Sequence, residues 1–382
     1  MNTAIDCLRL ARTEGVGPVT YRRLLRRYGS AGAALEALPG LAQAGGRGAP
    51  LAVVSREAAE RELERVRRLQ GRMVFLGDAD YPPLLALLDD APAVLTVLGS
   101  TAVLSEHAVA MVGSRNASAN GQRMAEKLAE DLAATSLVIV SGLARGIDGA
   151  AHEGALRTGR TVACVAGGID VPYPPEHAAL QARIAAGGAV VSEAPPGTAP
   201  QARHFPRRNR IIAGLSLGVV VVEAAFRSGS LITARLAQDA GREVFAVPGS
   251  PLDPRCRASN DLIRQGAHLT ERAEDVVENL PDHPGREGLG RLPLFAHGPT
   301  PEAAEGSPAE EPSVPAGAAE VALARDRVLD LLGPSPTAVD DLIRRCQLSA
   351  SAVMSVLLEL ELAGRVETLP GNRVAMLVEA GH

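Results

Sequence analysis

Six short runs rich in β-branched residues set the tightest limit on what this chain can fold into. HAVAMVGSRNAS (107–118), SLVIVSGLARG (136–146), TVACVAGGID (161–170), GAVVSEAPPG (188–197), LGVVVVEAAFRSGS (217–230) and REVFAVPGSP (242–251) each carry an apolar stretch that ends on small or polar residues. Helical periodicity follows each of them. Strands that do not alternate with polar residues are buried on both faces, as in a parallel sheet. Their alternation with helices predicts an α/β domain with a doubly wound parallel sheet. In that architecture ligands sit outside the carboxyl ends of the strands. Here those ends carry Ser114, Arg115, Ser141, Arg145, Asp170, Glu193, Glu223 and Ser230.

The flanks follow other rules. Within residues 1–72, GVGPVTYRRLLRRYGS places a Gly15–Gly17 turn before an amphipathic helix from about Val19 to Tyr28, and ALEALPGLAQAGG adds a second helix with a Pro-Gly turn. This resembles a SAM-like or helix-hairpin-helix module, in which turn amides at a helix N-terminus receive a phosphate. A small helical packing domain accounts for it equally well. Residues 73–280 hold the sheet. Residues 281–318, rich in Pro, Gly, Ala and Glu and without periodicity, read as a disordered linker. Residues 319–382 read as three helices and a hairpin turning at Pro370 to Asn372, the order of a winged helix.

Composition narrows the function classes. Aromatic residues make up only 2% of the chain and none is Trp, so an exposed ring draws notice. The cysteines Cys7, Cys164, Cys256 and Cys346 form no CxxC, which argues against a zinc site or disulfide framework and for a reducing compartment. The N-terminus carries no secretory h-region, and no apolar run reaches the ~18 residues of a membrane span. A soluble, cytoplasmic protein with no membrane partner is expected. The net charge of −5 conceals an uneven distribution: residues 1–72 carry 13 basic and 7 acidic groups, residues 281–382 carry 8 and 15. A basic head and an acidic tail flank a balanced middle.

The strand ends carry the chemistry. In MVGSRNASANGQRMAEKLAEDL, Gly113, Ser114 and Arg115 lead into a helix, and amides at that entry beside Arg115 read as a phosphate cradle or as a tight turn. The motif is not GxGxxG, so no dinucleotide cofactor is indicated. SGLARGIDGAAHEGAL repeats the device with Ser141, Gly142 and Arg145. Asp148 there reads as a helix cap and His152 as a packed histidine, because no third ligand stands near to hold a metal. In GGIDVPYPPEH, Gly167 and Gly168 let the backbone approach something closely. Tyr173, between two prolines, stacks on a base or plugs the loop. GSLITARLAQDAGREVF supplies a further Gly-Ser helix entry at Ser230.

RHFPRRNRIIAGLS (203–216) sets Arg203, Arg207, Arg208 and Arg210 around Phe205 with no acid among them, and Asn209 can bond a base edge or turn the backbone. Cations that track phosphates, with a ring for stacking, suit single-stranded nucleic acid.

In order, MVGSRNAS, SGLARGIDGAAHEGAL, GGIDVPYPPEH, SEAPPGTAP, FPRRNRIIAGLS, EAAFRSGSLITARLAQDAGREVFAVPG and NDLIRQGA closely resemble the DprA/Smf family of DNA-processing proteins over residues 73–270. The resemblance implies a Rossmann-like core that binds single-stranded DNA at the strand ends. It also implies homodimerisation through the core and the loading of RecA during natural transformation and recombination. Carried over by motif, Arg115 is the phosphate-binding arginine. Arg203, Phe205, Arg207 and Arg208 line the same groove, with Ser141, Gly142, Gly168 and Tyr173 as its floor. Arginine stands where the family often has lysine, which favours bidentate phosphate contacts.

The rival reading is a nucleotide-processing enzyme of the phosphoribohydrolase type, which uses a PGGxGTxxE loop. RSGSLITAR stands at the comparable turn and lacks that glutamate, so a binding protein without catalytic residues is expected. A second rival, a duplex-binding regulator, would read DNA with its third helix. That helix, SASAVMSVLLELELAG, holds two glutamates and no Lys or Arg, which fits protein contacts better.

Overall fold

Local turn chemistry delimits the first helices. The computed structural model describes residues 2–226, 228–281, 318–369 and 372–377. α1 (Asn2–Arg12) and α2 (Pro18–Tyr28) are joined across Gly15, whose φ of 80° lies in the left-handed region. Pro18 opens α2, where a missing N–H costs nothing. Ser30 caps α3 (Ala31–Ala44) by accepting the Ala33 N–H. α3 runs straight through Pro39–Gly40, where the sequence predicts a turn. Burial explains it: Leu35, Leu38, Leu41 and Ala42 all lie inside, and leucine burial at about 1.5–3 kcal/mol each outweighs an interior proline.

α4 (Arg56–Arg68) leads into the central unit. There β1 (Arg72–Phe75), α5 (Pro83–Ala86) and β2 (Val94–Gly99) precede β3 (Ala108–Val112), α6 (Ala119–Ala134) and β4 (Val138–Ser141). Next come α7 (Ile147–Thr158), β5 (Thr161–Cys164), α8 (Ala178–Gly187), β6 (Ala189–Ser192) and α9 (His204–Gly214). The unit closes with β7 (Gly218–Val221), α10 (Gly229–Asp239), β8 (Glu243–Ala246), α11 (Arg257–Arg264), β9 (His268–Leu269) and α12 (Ala273–Val277). All six expected strands form.

They build one sheet of order β1-β2-β6-β5-β4-β3-β7-β8-β9, parallel from β6 to β9. β1 and β2 extend it with antiparallel pairing. Helices cover both faces. Ala110, Val140 and Val221 point to the side of α9 and α10, while Met111, Ile139 and Val220 point to the side of α6 and α7. The chain winds one way from β3 to β6 and the other way from β7, so the order reverses between β3 and β7. The loops after those two strands therefore diverge, leaving the crevice in which such sheets bind ligands.

The second unit joins Met1–Glu60 to His297–His382. Its C-terminal part holds α13 (Ala318–Leu331), β10 (Thr337–Ala338), α14 (Val339–Cys346), α15 (Ala350–Leu362), β11 (Val366–Leu369) and β12 (Arg373–Met376). This is the expected three-helix winged arrangement, with β10 as an additional strand on β12. The expected linker, apart from Pro281 and Ala318, and the wing-turn residues Pro370 and Gly371 lie outside the described residues.

Candidate nucleic-acid interface

β3 delivers Arg115 to the reversal point. Gly113 follows the strand where any Cβ would fall 2.6 Å from Ile147, so this glycine serves packing. The Ser114 hydroxyl accepts the Asn116 N–H at 3.2 Å, which turns the loop and leaves Arg115 exposed. The entry to α6 is not an open anion cradle. Glu223, at the end of β7, accepts the Ser118 N–H at 2.9 Å and its hydroxyl at 2.5 Å, and a Cβ on Gly121 would strike its carboxyl. A helix N-terminus favours an anion, and here the protein supplies its own. The phosphate-binding role expected of this turn therefore rests on the Arg115 side chain.

That side chain stacks. The Arg115 guanidinium carbon lies 4.9 Å from the centre of the Phe205 ring, and the Tyr173 ring stands 5.6 Å from Phe205 at an interplanar angle of 59°. Tyr173 is 47% exposed. Arg203 and Arg207 flank Phe205 at the exposed start of α9. Partial burial and these two neighbours lower the pKa of His204 between them. Arg145 is exposed and ion-paired with Glu176, whose carboxyl this holds below its ordinary pKa. Three loops and one helix start thus bring a guanidinium, two rings and further cations to one end of the sheet. Such a surface can attract a polyanion and stack planar groups.

The remaining candidates lie beneath it, and several expected contacts need correction. Arg208 is 6% exposed and its Nη1 donates to the carbonyls of Gly142, at 2.5 Å, and Cys164. It ties the ends of β4 and β5 together below Phe205 and is not a free cation. Gly142 is glycine because a Cβ there would lie 2.3 Å from that guanidinium. Asn209 is used at both ends: Oδ1 accepts from Arg208 Nε and Nδ2 donates to Gly229 O, each at 3.2 Å. It is buried and holds the start of α10. Arg210 turns away, its Nη2 bonded to both Glu193 oxygens at 2.7 and 2.6 Å.

Ser141 is buried and donates to Met111 O, and Ser230 is buried against Ser228. Gly168 packs on the chain's own segment at 195–198, with the Gly197 nitrogen 2.6 Å from where a Cβ would be. What approaches the glycines of GGID is therefore backbone. Asp148 also shifts role: α7 begins after Gly146, at φ 73°, and Asp148 lies inside the first turn accepting the Ala144 N–H. Burial raises its carboxyl pKa, with Arg208 opposing. Burial likewise pushes the Cys164 thiol up to about 12 and His152 down to about 3. His152 is a packed histidine, the reading expected where no third ligand stands near.

The chain matches three family models in sequence order: DprA-like N-terminal HHH domain at residues 2–64, DNA recombination-mediator protein A at 72–281, and DprA winged helix domain at 307–372. The chain belongs to the DprA/Smf family. Protein Smf of Escherichia coli (strain K12) is 43% identical over 298 residues, 78% of this chain and 75% of that protein. Protein Smf of Synechocystis is 33% identical across 95% of this chain and 96% of its own length. The X-ray structure of DNA processing protein A from Streptococcus pneumoniae superposes with a TM-score of 0.64 at 38% identity, covering 73% of this chain and 98% of that one. The recombination-mediator match spans every DprA/Smf motif quoted above.

Sequence reasoning gave no role to Glu223, Glu193 and Glu176, the acids that hold the α6 entry, Arg210 and Arg145. All three stand at or after strand ends, and that placement was their only signal.

Proposed function

We propose that the chain binds single-stranded DNA without sequence preference at the end of the sheet marked by Arg115, Phe205 and Tyr173. It acts as a recombination mediator that protects the strand and delivers it to RecA. The observation that carries this reading is the cluster in which the Arg115 guanidinium lies over the Phe205 ring at 4.9 Å and the Tyr173 ring tilts against it at 5.6 Å, with Arg145, Arg203 and Arg207 around it. Unpaired bases offer faces to the rings while the cations follow the backbone; a duplex hides those faces. We further propose that it works in the cytoplasm as a homodimer formed through the core. The sheet ends at the two-residue β9, whose Leu269 is 49% exposed, and Leu252 in the loop after β8 is 90% exposed.

The same reading makes the chain a binder without catalytic residues. Cys164 and His152 are buried, one held as a thiol and the other as a neutral imidazole, so neither suits nucleophilic or acid–base work. Competition between single- and double-stranded DNA of equal length tests the function. Single-strand preference with steep salt dependence is expected, and equal affinity for blunt duplex would sink it.

A further inference from the structure

The helix that enters a major groove in winged-helix readers is not turned outward here. α15 packs on α3 within their common unit, and the approach is backbone to backbone. Gly45, at the end of α3, has no room for a side chain: a Cβ would lie 1.9 Å from the Glu359 carbonyl oxygen and 2.9 Å from the Ala363 Cβ. The contacts just beyond set arginines of the head on oxygens of α15. Arg23 Nη1 lies 3.8 Å from a Glu361 oxygen, with both side chains 15% exposed. Arg47 Nη1 donates to the Leu362 carbonyl at 3.3 Å. That same carbonyl stands 3.8 Å from where a Cβ would project at Gly15, the turn whose pattern reads as phosphate-receiving.

The last carbonyls of a helix carry its negative dipole end, and the Glu361 carboxyl stands beside them, its pKa raised by burial with Thr20 and Arg23 opposing. The end of α15 thus presents to the head what a phosphodiester would present: oxygen atoms bearing negative charge, set on arginines and a glycine turn. The charge balance agrees, since residues 1–72 carry 13 basic and 7 acidic groups and residues 281–382 carry 8 and 15.

We propose that α15 is an internal competitor of nucleic acid: its acidic C-terminal end covers the Gly15–Arg23–Arg47 face of the head, and a DNA backbone and the winged helix take that face alternately. The winged helix then restrains the head, and displacing it exposes a second phosphate-binding surface. This goes beyond the single-strand site of the core and does not rest on it.

The test uses the full chain with Arg115→Ala and Phe205→Ala in place in every sample, so that the core site is weakened and contributes the same background to each variant compared. Gly45→Leu forces α3 off α15. Gly40→Leu, on the same helix where nothing lies within 4 Å of a Cβ, is the control. Affinity for a short blunt duplex and a single strand is read by fluorescence anisotropy over a salt series. Gly45→Leu should raise affinity on the order of tenfold at low salt and steepen the salt slope by about two units, one per released arginine. Adding Arg47→Glu should reverse part of the gain, and Gly40→Leu should change nothing. Unchanged affinity in Gly45→Leu, or the same gain in both leucine variants, overturns the proposal. Should Gly45→Leu fail to fold, Glu361→Arg puts the question through charge: a gain is expected, and none would count equally against it.

Discussion

Arg115 and Phe205 form one recognition unit. With the guanidinium 4.9 Å from the ring centre, each side chain fixes the plane of the other before any ligand arrives. Removing Phe205 therefore loses a stacking surface and frees Arg115 to wander. We expect Phe205→Ala to cost roughly 1–3 kcal/mol in single-strand affinity with little change in salt slope. Arg115→Ala should flatten the slope by about one unit. The double variant should cost less than the two singles together, by about 0.5–1 kcal/mol, when affinities are measured at several salt concentrations. Strictly additive losses would mean that ring and cation act separately. The family resemblance put this pair in one groove, but nothing in the sequence showed that the two side chains touch. The sequence also could not sort the arginines of RHFPRRNR, because α9 is buried all round from Arg208 to Gly214 and only its first turn reaches water. The partners that let Arg208 and Arg210 go inside are the carbonyls of Gly142, Cys164 and Asp90 and the Glu193 carboxylate, all outside the motif.

Elements were legible where burial is two-sided. Six of the seven parallel strands, β3 to β8, showed as unbroken apolar runs because helices cover both faces of the sheet. β1 and β2 escaped notice because they pair antiparallel at the margin, with only the four-residue α5 between them to mark the rhythm. Helix α7 shows how an element can be tied to the sheet by a group that looks catalytic in sequence. Thr161 donates its only hydroxyl proton to Ile139 O at 2.6 Å, so the 2.7 Å contact with His152 Nδ1 must have the imidazole donating. His152 therefore carries a proton on Nδ1, and burial, His177 and Arg208, which drive its pKa down to about 3, keep the ring neutral.

A histidine whose folded pKa lies below its unfolded value stabilises the fold fully above the unfolded value, about 6.5. That contribution is lost as pH falls toward 3. Between pH 6.5 and pH 5, where few carboxylates titrate, His152 alone should account for a loss of about 1.5 kcal/mol. Urea melts of the wild type and of His152→Gln at both pH values measure it. The variant should be less stable at pH 6.5 and should lose less on acidification. Parallel losses in the two proteins would assign the slope to other groups.

For the whole molecule, the sequence carried the domain types and their order, since each has its own periodicity. The pairing of head and tail into one unit was not legible, because it depends on a glycine at position 45 meeting a carbonyl more than three hundred residues away. Assembly is a question at the same scale. The exposed leucines of the core unit, Leu252 after β8 and Leu269 on β9, would be buried in a core-mediated dimer that uses them, and a dimer carries two copies of the Arg115–Phe205 surface. A strand long enough to reach both pays the entropy of association once, and the second engagement occurs at an effective concentration near millimolar. A strand of about 10 nucleotides, within the span of a single site, gains nothing from the partner. Leu252→Glu with Leu269→Glu should therefore leave short-strand affinity unchanged while lowering affinity for a strand several times longer by a factor between about 10² and 10⁴. Light scattering on the same samples must report the wild type at twice the mass of the variant. Equal masses would remove the dimer through this edge. A clean dimer-to-monomer change with no loss on long strands would keep the dimer but show that its two surfaces cannot hold one strand, because they face apart or because the path between them is not basic enough to guide it.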